Sequence, residues 1–188
     1  MTPLRLGWAV PAFLLMTGAA VAQTANPLCD FVNKVLAAKP DGFETLKGEA
    51  QNPAVFHNEV FHGALLPSPS ANCTLFLKTQ AGRVTLPARY SCTIAQSDDF
   101  ADANRIFQRA QADLKACFPN TNFQTKYDGD GRDPDEMFDW TASTEQPGYT
   151  LSIEMSNGLS ALAAALSQND ANAPHIAIDL DVEDAETK

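Results

Sequence analysis

The sequence predicts an α+β two-layer sandwich: a mainly antiparallel, meandering sheet of about seven to eight strands, covered on one face by two amphipathic helices. Three observations lead there. Several short segments alternate apolar and polar residues, two longer ones carry apolar stripes at helical spacing, and the order is helix, strands, helix, strands.

The first helix opens at Asn26-Pro27, a capping side chain followed by proline at the first helical position. Leu28, Val32, Val35 and Leu36 then recur at helical spacing until Lys39-Pro40 stops them. Strand-forming segments follow at Phe43–Lys47, Val55–Phe61, Cys73–Lys78 and Val84–Ile94. The last places Val84, Leu86, Ala88, Tyr90, Cys92 and Ile94 on one face, with Pro87 indicating an edge or a bulge. Gln80 to Arg83 reads as the hairpin turn before it.

Ser97-Asp98-Asp99 caps the second helix, whose stripe runs through Phe100, Ala103, Phe107, Ala110, Leu114 and Cys117. Further strands are predicted at Phe123–Tyr127, Met137–Ala142, Tyr149–Met155 and His175–Val182, with a short third helix over Leu159–Leu166. In the final strand Ile176, Ile178, Leu180 and Val182 alternate with Asp179 and Asp181.

The amino-terminal residues carry a different signal. Arg5 precedes an uncharged run from Trp8 to Val21, and Ala20-Val21-Ala22 supplies the small residues that a signal peptidase reads, so residues 1–22 form a cleavable leader. The apolar run is shorter than the roughly 20 residues that span a bilayer. No cysteine stands at the cleavage point to take a lipid. The sequence thus predicts a single α+β domain over 23–188, without membrane span or lipid anchor, in the periplasm or secreted. The net charge is −10, and removing the leader with its one arginine makes it −11. Such a surface repels nucleic acid and anionic membranes and admits cations or basic proteins.

All four cysteines, Cys29, Cys73, Cys92 and Cys117, follow the leader, and none forms a C-x-x-C pair. In an oxidising compartment this predicts two structural disulfides. Cys73 and Cys92 share the apolar face of neighbouring hairpin strands. Cys29 opens one helix and Cys117 closes the other, so side-by-side packing predicts Cys29–Cys117 and Cys73–Cys92.

Candidate chemistry is sparse. Asp128, Asp130, Asp133, Asp135 and Glu136 form an acidic loop resembling an oxygen-rich calcium loop, but Arg132, Asp133 and Asp139 stand where an EF-hand needs other residues. The expectation is a solvated turn and no bound cofactor. His57 and Glu59 share a strand face as possible metal ligands, with His62 pointing the other way. No G-x-S-x-G elbow, S-x-x-K pair or glycine-rich phosphate loop occurs, and Ser68 and Ser70 sit in an extended Pro-Ser-Pro-Ser loop. Asn72-Cys73-Thr74 matches a glycosylation sequon. Trp140, Phe138, Tyr149 and Tyr90 either line a ligand groove or fill the core. The sequence points first to a non-catalytic binding or envelope-accessory protein whose partner is another envelope or secreted protein. The alternatives are a secreted hydrolase with an unrecognised carboxylate or metal site, and a calcium-stabilised module.

Overall fold

A computed structural model describes residues 26–51, 60–81, 84–129, 138–157 and 176–185. The leader, His57, Glu59, most of the acidic loop and the helix predicted over 159–166 lie outside those residues.

Helix α1 spans Pro27–Ala38, with the Asn26 side chain accepting the Leu28 N–H at 3.0 Å and Phe31, Val32, Val35 and Ala38 buried. Its end overturns one expectation. Phe43–Lys47 is not a strand: Gly42 and Phe43 adopt left-handed backbone at φ 68° and 65°, and a short 3-10 turn follows over Glu44–Leu46. The Phe43 N–H closes the helix end on the Ala38 carbonyl at 3.0 Å, and its ring is fully buried against Tyr90. Burying the ring stabilises by about 2–3 kcal/mol, which offsets the left-handed conformation's cost of about 1–2 kcal/mol.

The strands are β1 (Lys47–Ala50), β2 (Val60–Gly63), β3 (Asn72–Phe76), β4 (Thr79–Ala81), β5 (Val84–Leu86) and β6 (Arg89–Ser97), then, after helix α2 (Phe100–Cys117), β7 (Gln124–Asp128), β8 (Asp139–Gln146), β9 (Tyr149–Ser156) and β10 (Ile176–Asp184). The long strand predicted over Val84–Ile94 divides at Pro87, which has no N–H for a ladder bond. Among the described residues its first part pairs with β4 alone, in a separate two-stranded ribbon.

The remaining strands form one open antiparallel sheet in the order β1-β2-β3-β6-β10-β9-β8-β7. The sheet is therefore not a plain meander. Helix α2 carries the chain from β6 to the far edge at β7, and the chain then works back until β10 fills the gap between β9 and β6. A register shift between Ile178 and Asp179 lets β10 follow β6 past a local bulge.

Asp99 caps α2 by accepting the Asp102 N–H at 2.7 Å, and Ala103, Phe107, Ala110, Gln111 and Leu114 are buried along it. Helix α2 contacts β6, β9 and β10, and α1 contacts α2 and β10. Leu75, Tyr90, Ile178, Leu180, Leu151, Ile153 and Met155 supply the sheet's share of the core. The buried Gln111 amide donates to Thr125 Oγ1 at 2.7 Å and ties α2 to the edge strand.

Candidate functional site: the carboxylate face of the sheet

Alternation along β10 sends Ile178, Leu180 and Val182 into the core and Asp179 and Asp181 to the opposite face. The ladder sets their neighbours. Asp179 is opposite Glu154 of β9 and Thr93 of β6, Glu154 is opposite Thr141 of β8, and Asp181 lies between Ser91 and Ser152. Asp139 of β8 faces Ser156. The middle of this face is thus built from carboxylates and hydroxyls.

Thr93 Oγ1 donates to Asp179 Oδ1 at 2.5 Å, and Thr141 Oγ1 to Asp139 Oδ1 at 2.9 Å. Arg89 Nε stands 3.9 Å from Asp181 Oδ1, which is buried and accepts no hydrogen bond. Burial pushes the Glu154 carboxyl up to about 7, and the charges of Asp139, Asp181 and Asp179 push the same way, against the Ser156 hydroxyl. Asp179 is raised by burial, opposed by its Thr93 hydrogen bond, raised by Asp181 and lowered by Arg89. Asp181 is raised by burial against the pull of Arg89 and Ser91. Chemically, this is a face that keeps a proton near neutral pH and attracts positive charge. Among the described residues no three His, Cys, Asp or Glu side chains converge to hold a metal ion.

None of these four carboxylates was singled out as a site residue by the sequence. The signal was present: the polar positions of β9 and β10 carry Glu154, Asp179, Asp181 and Glu183 and no lysine or arginine. The residues that did stand out are scattered. Asp128 ends β7, exposed, 4.0 Å from Lys126 and opposite Asp139, while Asp130, Asp133, Asp135 and Glu136 lie outside the described residues. His62 contacts Gln51 at 3.3 Å, and the Ser68 hydroxyl meets that of Ser70 at 3.1 Å.

The four aromatic candidates do not share a groove. Tyr90 is locked in the core, where its hydroxyl donates to the Leu65 carbonyl at 2.6 Å and accepts the Leu65 N–H at 3.1 Å. Phe138 and Trp140 pack edge-on against Phe100 at the start of α2, with Tyr127 on Trp140 at 4.8 Å. Tyr149 sits at the other end of β9.

Disulfides join Cys29 to Cys117 and Cys73 to Cys92. Cys73 and Cys92 are register partners on β3 and β6, while the other bond ties the start of α1 to the last residue of α2. Two shallow clefts, of about 250 and 230 Å³, flank Pro27 and Pro67 between α1 and the loop that follows β2. No described helix is long and apolar enough to cross a membrane. Compared with known proteins, the chain matches no family model, no curated protein and no solved structure.

Proposed function

We propose that this chain is an exported, non-catalytic binding protein that works in the periplasm or outside the cell by engaging another envelope or secreted protein. The observation that carries this reading is the commitment of all four cysteines to two disulfides, a state that oxidising compartments maintain and cytosols reverse. The leader over residues 1–22 supplies the route, and residues 23–188 are the single mature domain, without lipid anchor. In this reading α1 and α2 cover the same face of the sheet. Their contacts with each other and with β10 support that arrangement and leave the carboxylate face to a positively charged partner. The net charge of −10 disfavours nucleic acid. The test is affinity capture of the mature protein from its own envelope: a stoichiometric partner lost on neutralising Glu154 and Asp179 is the expected result, and no partner at all counts against it.

A second reading, a secreted hydrolase, draws on one observation. Glu154, with a carboxyl near 7 beside Asp179 and Asp139, has the acidity of a general acid at neutral pH. Turnover of any ester or glycoside that disappears in Glu154→Gln would favour it over the binder.

A further inference from the structure

Strand β7 ends the sheet, and among the described residues no strand pairs with its outer edge. Its side chains have an unusual order. Lys126 and Asp128 lie on the carboxylate face, with side chains 81% and 75% exposed, and Tyr127 lies between them on the other face, 55% exposed. A lysine in an edge strand ordinarily keeps foreign strands away. Here an aspartate two residues along the same face supplies its complement.

Antiparallel pairing of β7 with β7 of a second copy, about a twofold axis through Tyr127, places Lys126 opposite the partner's Asp128 and Asp128 opposite the partner's Lys126. The two Tyr127 rings then meet on the other face. An axis through Lys126 sets lysine against lysine, and one through Asp128 sets aspartate against aspartate. With faces kept aligned, the Tyr127 register alone makes two opposite-charge pairs and an aromatic pair, the combinations that stabilise neighbouring strands. The Lys126 to Asp128 contact within one strand, at 4.0 Å between exposed groups, is weak and readily exchanged for cross-strand ones.

We propose that the β7 edge is a self-association site, at which two copies of this chain join their sheets antiparallel in the register centred on Tyr127. The occupant is a second copy because the edge is complementary to itself, and an isologous contact of this kind closes as a dimer. Trp140 holds the Tyr127 ring edge-on, and the Gln111 bond to Thr125 holds the strand, so the surface is formed before the partner arrives. Five residues a side is a small interface, placing the dissociation constant on the order of 10 µM to 1 mM.

The inference is independent of the binding role proposed above, and its failure leaves that role untouched. Sedimentation equilibrium of the mature chain up to about 1 mM tests it. The expected result is a mass that doubles with concentration, association weakened at least tenfold in Lys126→Asp, which shifts the protein towards monomer, and recovery in the double variant Lys126→Asp/Asp128→Lys, whose charges are complementary again. In a separate arm, Tyr127→Cys should cross-link to itself faster than Lys126→Cys. Both positions are exposed, and circular dichroism verifies that each variant is folded. A monomer throughout, a dimer indifferent to Lys126→Asp, a charge swap that does not recover, or equal cross-linking at 126 and 127 overturns the proposal.

Discussion

Asp179 of β10 stands directly opposite Glu154 of β9, so two carboxyl groups share one cross-strand position in the middle of the sheet. Burial disfavours the charged form of Glu154, and the nearby charges of Asp139, Asp181 and Asp179 add to the conflict. The fold resolves it by keeping Glu154 protonated up to about 7. A carboxyl raised in this way binds its proton more tightly when folded. Its stabilisation is complete below the unfolded value near 4.5 and is lost as pH rises through about 7. The protein should therefore melt at higher temperature at pH 5 than at pH 8. With a discount for partial exposure, the Glu154 contribution is on the order of 1–2 kcal/mol, or about 3–6 °C for a chain of this size. Glu154→Gln, which mimics the protonated side chain, should reduce the difference by raising the midpoint at pH 8 and leaving it unchanged at pH 5, the remainder coming from the raised Asp179 and Asp181. A melting curve that rises from pH 5 to pH 8 would contradict the arrangement.

Arg89 is the cation that opposes this excess of negative charge, at 3.9 Å from Asp181. Arg89→Met keeps an apolar stem and removes the guanidinium, which also lies over the Phe76 ring at 4.9 Å. The loss of stability should be larger at pH 8 than at pH 4.5, because burial raises the Asp181 carboxyl and the pair with Arg89 gains charge as pH rises. Equal losses at the two values would mean that Arg89 acts through packing.

The two disulfides should differ in worth. The bond from Cys29 to Cys117 closes 88 residues and that from Cys73 to Cys92 closes 19. Chain entropy assigns about 4 to 5 kcal/mol to the first and about 3 kcal/mol to the second. Guanidinium unfolding of the paired-serine variants measures both. A larger loss for the Cys73–Cys92 pair would show that its place in the β3–β6 ladder matters more than loop length.

Gly63 and Tyr90 form a coupled pair. A Cβ on Gly63 would clash with the Tyr90 hydroxyl and lie 2.7 Å from Cys73 Cβ. Tyr90→Phe leaves the Leu65 backbone groups without their partner and should cost about 1–3 kcal/mol. Gly63→Ala should cost more. Because part of the clash is with the hydroxyl itself, the double variant should be less destabilised than the sum, by about 1 kcal/mol in a double-mutant cycle.

Much of the fold was legible because its signals are local. The stripe from Phe100 to Cys117 and the alternation of Ile176 to Val182 each record which face meets the core, and both elements stand where that pattern places them. The misreadings are non-local. Nothing near Phe43 in the sequence says that its ring will be needed against Tyr90, a gain that outweighs its extended-chain propensity. Nor does periodicity say which strands are neighbours, so the insertion of β10 between β6 and β9 was out of reach. The carboxylate face was hidden for the same reason. Glu154 and Asp179 are ordinary polar positions until the ladder sets them opposite each other.

The position of β10 has a further consequence. Without this strand the described large sheet is two separate pieces, β1-β2-β3-β6 and β9-β8-β7, with α2 packed against both β6 and β9. The keystone is synthesised after every other described strand. Assembly has to wait for it, and until it arrives the polypeptide offers two raw sheet edges to whatever escorts it.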